Sequence, residues 1–211
     1  MLSAAAILSL MAIASGTADV QISQFGETRL EDWTVETFDG ETRYTIVEED
    51  GMAVLLAESD DSASGIYRKV SIDLEETPCL HWKWKITRPL VGLKETTKAG
   101  DDYAARIYAI KSGGLAFWQT RTLSYVWAGQ QPEGSSWPNA FTDQSTMIAV
   151  RSGDSRAGEW TMETRNVRED FRSFAGFDAR EIDAVAIMTD TDNSNGYATA
   201  RYADIRFSNE C

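Results

Sequence analysis

The sequence predicts an all-β fold, an antiparallel β-sandwich with one short helix. Three observations carry this. Roughly ten short runs alternate apolar and polar residues and are separated by Gly, Asp and Asn turns. The stretch from Gly100 to Gly129 reads as two strands joined around a Lys-Ser-Gly-Gly turn. Arg168 to Ala175 is the one good helix candidate, and it is short.

The chain opens with 18 residues that contain no charged side chain. Leu2 to Ala14 is an apolar run, followed by Ser15, Gly16, Thr17 and Ala18. A short apolar core followed by small residues predicts a secretory signal peptide, cut near Ala18. It is too short for a membrane span, so no stable insertion is expected after cleavage. Residues 19–211 then form one domain, and the expected location is periplasmic or secreted. Apolar residues make up 43% of the chain, enough for a globular core. The formal net charge of -13 excludes a general nucleic-acid or anionic-lipid binder. There are two cysteines, Cys79 and Cys211. An oxidising compartment would let them pair.

The domain begins with an arm, Asp19 to Trp33. Tyr44–Val47 and Met52–Ala57 form a hairpin around Asp50-Gly51, an Asp-Gly turn signal. Ile66 to Leu74 is a strand. In the run from Leu80 to Ile86, Leu80, Trp82, Trp84 and Ile86 share one face, and His81, Lys83 and Lys85 the other. In the first strand of the Gly100 hairpin, Asp102, Arg106 and Tyr108 oppose Tyr103, Ala105, Ile107 and Ala109. In the second, Arg121, Leu123, Tyr125 and Trp127 oppose Thr122, Ser124, Val126 and Ala128. Gly129 to Asp143 is a long loop carrying Trp137. Met147–Arg151, Trp160–Val167 and Ala184–Met188 are further strands. Tyr197 to Phe207 closes the domain, with Ala203, Ile205 and Phe207 inward and Tyr202, Asp204 and Arg206 outward.

No motif identifies a reaction. His81 is the lone histidine, and its lysine neighbours predict a solvated ring rather than a triad member. No zinc spacing and no phosphate-binding glycine pattern occurs. Asp190-Thr-Asp192-Asn193-Ser-Asn195-Gly196 is oxygen-rich and suggests a structural calcium held by Asp190, Asp192 and Asp204. It lacks the turn glycine and the bidentate Glu of an EF-hand. Asp102 and Glu163 are the carboxylates that a glycan-active enzyme would use. Flat aromatic faces beside guanidinium forks suit an oligosaccharide or a uronate-bearing glycan. Arg106, Tyr108, Arg121, Tyr125, Trp127, Trp137 and Arg165 are therefore the candidate ligand-binding residues. An envelope domain without a small ligand is the third alternative.

Several motifs together resemble the bacterial domain-of-unknown-function family 3047. They are HWKWK from His81, GDDYAARIYAI from Gly100, LSYVWA from Leu123, RNVREDF from Arg165, VAIMTDTDNS from Val185 and YADIRF from Tyr202. The resemblance implies an exported single-domain protein and brings no catalytic residues. The closing strand is also similar to the last strand of galactose-binding-like carbohydrate modules. That likeness implies a jelly-roll sandwich in which a structural calcium lies near this strand.

Overall fold

The computed structural model describes residues 19–27 and 29–211. The expected signal peptide lies outside them. Among the described residues, thirteen strands form two sheets. In chain order the strands are β1 (Val20–Ser23), β2 (Thr34–Asp39), β3 (Arg43–Glu49), β4 (Met52–Asp60), β5 (Ala63–Asp73) and β6 (Cys79–Ile86). There follow β7 (Arg106–Lys111), β8 (Arg121–Ala128), β9 (Ser136–Pro138), β10 (Ser145–Ser152) and β11 (Thr161–Asn166). After the helix α1 (Val167–Phe174) come β12 (Glu181–Asp190) and β13 (Tyr197–Ser208).

The six-stranded sheet runs β11-β6-β13-β4-β3, with β1 added along β13. The seven-stranded sheet runs β2-β5-β12-β7-β8-β10-β9. Pairing is antiparallel except for β8 with β10. The arrangement is an antiparallel β-sandwich with one parallel pair, and α1 is its one α-helix among the described residues.

The core lies between the sheets. Leu80, Trp82, Trp84 and Ile86 of β6 are fully buried, as their period of two requires. Trp82 meets Tyr125 of β8 with ring centroids 5.4 Å apart, and Trp84 meets Trp127 at 5.8 Å. Asn166 caps α1 by accepting a hydrogen bond from the Glu169 amide at 3.1 Å. The helix then buries Val167 and Phe171 in the core. A disulfide joins Cys79, at the start of β6, to Cys211, with Cα atoms 5.2 Å apart. The turn between β3 and β4 uses Asp50 and Gly51 at φ 54° and 75°, the left-handed pair that a two-residue hairpin loop needs.

Four expectations are corrected. The loop between β7 and β8 spans residues 112–120 and contains a short 3-10 turn, Phe117–Gln119, so it is longer than a Lys-Ser-Gly-Gly turn. Its length sets the register: Arg106 pairs with Val126, Ile107 with Tyr125 and Tyr108 with Ser124. In β13 a bulge between Ala203 and Arg206 shifts the alternation, with Asp204 at φ 50°. Tyr202 therefore points inward, not outward, and is fully buried. Residues 136–138 pair with β10 inside the expected loop, and residues 34–39, just beyond the expected arm, form an edge strand to which no expected element corresponds. His81 is not simply solvated. It is hydrogen-bonded to Thr164 at 2.9 Å, Ser208 at 2.8 Å and the Glu210 carbonyl at 3.0 Å.

Candidate functional site

The outer face of the seven-stranded sheet is divided. Over β8 and β10, Tyr103 and Trp137 pack with Val126, Ala128, Met147 and Ala149 into a small second core. Over β5, β12 and β7 the face stays open and forms the floor of a cleft of about 630 Å³. Gly65 and Tyr67 of β5, Ala186 and Met188 of β12, and Tyr108 and Ile110 of β7 make this floor. The ladders explain the arrangement. Tyr67, Ala186 and Tyr108 lie in one cross-strand row, and Gly65, Met188 and Arg106 in the next. Small residues at Gly65 and Ala186 leave space beside the two tyrosines.

Two walls rise from opposite sides. The edge strand β2 supplies Glu36, Phe38 and Asp39. The loop after β9 supplies Asn139, Phe141 and Thr142. Asn139 organises that loop. Its Oδ1 accepts from the amides of Phe141 and Thr142 at 3.0 and 3.2 Å, and its Nδ2 donates to Asp101 Oδ2 at 2.9 Å. Phe38 and Phe141 are 67% and 56% exposed, large apolar rings held at the rims of a cavity. Lys98 lies over the Phe141 ring, 5.2 Å from its centroid.

One end of the cleft is acidic. Arg106 is buried there, and its guanidinium grips both oxygens of Asp190, one contact being 2.8 Å. The same group donates to the Asp101 carbonyl and stacks on the Tyr103 ring at 4.3 Å. The arginine fork is therefore spent inside the protein. Its partner is Asp190 rather than Asp102, the carboxylate on its expected strand face. Burial pushes Asp190 up to about 8; Arg106 opposes the rise, and Asp102 and Asp101 add to it. Asp192 is raised too, by burial first and then by Asp102. Burial raises Tyr108 to about 12, so its phenol stays neutral and donates to Met188 Sδ at 3.4 Å.

Asp102, Asp190 and Asp192 bring carboxylate oxygens within 4.8 Å of one another. Asp204 is not among them. It sits in the β13 bulge and pairs with Lys83 at 2.5 Å, on the other sheet. The cluster holds two of the three residues expected to bind calcium, Asp190 and Asp192, with Asp102 in place of Asp204. Both oxygens of Asp102 accept from the amides of Asn193 and Ser194, at 3.2 and 2.7 Å, and both oxygens of Asp190 face the guanidinium. These carboxylates clamp a loop and an arginine.

The seven expected ligand-binding residues are not brought together. Arg106 and Tyr108 line the cleft. Tyr125 and Trp127 point the other way, into the core, with the six-stranded sheet packed over them. The Tyr125 hydroxyl donates to Asp170 at 2.8 Å, and Arg165 pairs with the same carboxylate, so Arg165 anchors α1. Arg121 donates to the carbonyls of Trp118 and Thr120 at 3.3 and 2.9 Å. Trp137 belongs to the second core. The carboxylates Asp102 and Glu163 are also separated. Glu163 lies on the six-stranded sheet, bonded to the Trp84 indole at 3.0 Å and held by both arms of Arg151.

Sequence reasoning missed Phe38, Tyr67, Asp101 and Phe141 as cleft residues. A signal for Phe38 existed: TVETF is rich in strand-forming residues and alternates Glu36 and Phe38 on one face.

Comparison with curated protein sequences finds no relative. In fold, the chain is similar to the family 30 carbohydrate-binding module of the cellulosomal cellulase Cel9D-Cel44B of Clostridium thermocellum. The TM-score is 0.50 at 12% identity, over 91% of this chain and 98% of that one. It is also similar to a non-crystalline cellulose specific carbohydrate-binding module, CBM28, with TM-score 0.47 and 14% identity over 89% and 94% of the two chains. A third neighbour is the xyloglucanase domain of NopAA, a type three effector from Sinorhizobium fredii, with TM-score 0.46 and 12% identity over 88% and 98%. At such identities the likeness is one of fold. The sequence itself matches the profile of the "Protein of unknown function (DUF3047)" family over residues 31–206, and the chain belongs to that family.

Proposed function

We propose that this protein binds an oligosaccharide in the cleft on the outer face of the seven-stranded sheet. The observation that carries this is the composition of the cleft. Exposed rings of Phe38 and Phe141 stand at its rims, tyrosines lie on its floor, and polar groups of Asn139, Asp101 and Asp190 converge at one end. Sugar rings present apolar C–H faces with hydroxyls around the edge. They need flat aromatic surface for stacking and fixed polar groups for hydrogen bonds. A cleft of about 630 Å³ holds a few sugar units. The sandwich shared with a carbohydrate-binding module supports the same reading. Export to the periplasm or beyond is part of it. The disulfide suits an oxidising compartment, and no helix among the described residues is long and apolar enough to cross a membrane.

The test is calorimetric titration of the folded protein with soluble cello-, xylo-, manno- and galacto-oligosaccharides. Binding to at least one series is expected. Phe38→Ala and Phe141→Ala should each weaken it by about fivefold or more, because a lost stacking partner costs on the order of 1 kcal/mol or more. Both rings are largely exposed, so the melting temperature should hold. If the folded protein binds none of these sugars, or if both variants bind as well as the parent, the proposal falls.

A further inference from the structure

The charge of the cleft narrows the ligand further. Five carboxylates line it: Glu36, Asp39, Asp101, Asp190 and Asp192. Arg106 is the single cationic side chain among the lining residues, and its fork is already engaged by Asp190 and the Asp101 carbonyl. The arginines that suggested an acidic glycan lie elsewhere, Arg165 on Asp170 and Arg121 on the carbonyls beside it. An anionic sugar entering the cleft would meet like charge with no free guanidinium to receive it. Repulsion of this kind is a strong device for rejecting a ligand.

We infer that the cleft selects a cationic, amine-bearing saccharide over its neutral or acidic counterparts. The inference rests on the saccharide reading above and adds the ligand's charge. Three observations support it beyond the count of carboxylates. Asp101 lines the cleft and is almost wholly buried; its Oδ2 accepts from Asn139 at 2.9 Å and lies 3.5 Å from the Arg106 guanidinium, while its Oδ1 has no hydrogen-bond partner. That is an acceptor lacking a donor, which an ammonium group can supply with its three protons. Second, the aromatic rims suit a cation as well as a sugar face. Phe141 already carries the Lys98 ammonium over its ring. Third, burial pushes Asp190 up to about 8; Arg106 opposes the rise, and the neighbouring Asp102 and Asp101 add to it. Even with Asp190 protonated, four carboxylates face one arginine. Glu36 and Asp39 are exposed on the β2 wall, placed to attract a cation at the entrance.

Three ligands separate the outcomes: glucosamine oligomers, N-acetylglucosamine oligomers and galacturonate oligomers of equal length. Each is titrated calorimetrically at about pH 6 and low salt, where amines carry charge and ordinary carboxylates are ionised. The glucosamine oligomer should bind about tenfold or more tightly than the acetylated one, and the galacturonate oligomer weakest of the three. Glu36→Gln with Asp39→Asn, both at exposed positions, should shrink the preference for the amine over the acetylated oligomer several-fold. Salt at about 0.5 M should do the same. Equal affinity for the amine and acetylated forms, or tighter binding of galacturonate, overturns the charge inference and leaves the saccharide site standing. So does binding of the neutral panel alone. If neither these three ligands nor that panel binds, the saccharide reading itself fails.

Discussion

The two faces of the seven-stranded sheet carry similar side chains and put them to different uses. On the inner face, Tyr125 and Trp127 of β8 are fully buried against Trp82 and Trp84 of the other sheet. On the outer face, Tyr108 of the adjacent strand and Tyr67 two strands further on line an open cleft. The arginines divide in the same way: Arg165 braces the helix that closes the core, while Arg106 braces the acidic end of the cleft. An aromatic ring or a guanidinium does not announce a binding site. What covers it decides, and for this sheet one face is covered by a second sheet and the other only in part, by Tyr103 and Trp137.

Substitution can break this comparison. The largest effect is expected on the inner face. Trp127→Ala removes a buried indole that packs on Trp84 and donates to the Gly153 carbonyl at 2.9 Å. It should destabilise the domain by about 3–5 kcal/mol. Denaturant unfolding would show it as a lower midpoint. If the midpoint hardly moves and sugar binding is lost instead, the assignment of the two faces is reversed.

Arg106→Ala comes next. It leaves Asp190 buried with no guanidinium and removes the group stacked on Tyr103. A loss of about 3 kcal/mol is expected, at the low end for a broken buried pair because Asp190 already keeps its proton up to about pH 8. An unchanged melting temperature would show that the pair is open to solvent.

The smallest effect concerns pH and sharpens the account of the acidic end. Folded Asp190 keeps its proton up to about pH 8, whereas the unfolded chain releases it near its ordinary value of 3.8. Between those limits the folded state binds more protons, so this group makes stability fall as pH rises. His81 works in the opposite sense. Burial, then Arg206, lowers its pKa from 6.5, so its contribution grows as pH rises toward that value. The difference between parent and Asp190→Asn isolates the aspartate. Melting temperatures from about pH 5 to 8 should fall less steeply in the variant. Parallel curves would mean that Asp190 is ionised throughout.

Much of the fold was legible along the chain. The alternation at Leu80, Trp82, Trp84 and Ile86 marked a core strand, and the Asp50-Gly51 pair marked a hairpin. The run from Arg168 to Ala175 marked the one helix, which the structure starts one residue earlier, at Val167, and caps with Asn166. With two cysteines, one intramolecular pairing was available. Even the split of β7 and β8 into two faces was correct for Arg106 and Tyr108 against Ile107, and for Tyr125 and Trp127 against Ser124 and Val126. These are local properties, because neighbouring side chains in a strand must point to opposite sides whatever else the chain does.

What the sequence by itself determined, then, is the identity of each face. Which faces lie together was decided only in three dimensions. A one-residue change in register moves a whole face to the other side of the sheet, and here the length of the loop at residues 112–120 set that register. The β13 bulge did the same for Tyr202 and Asp204, carrying Asp204 away from Asp190. The cleft draws Phe38, Tyr67, Asp101, Phe141 and Asp190 from segments that are distant in sequence. Nothing local marks such residues as neighbours, because sheet pairing and the packing of one sheet on another are long-range events that alternation cannot encode.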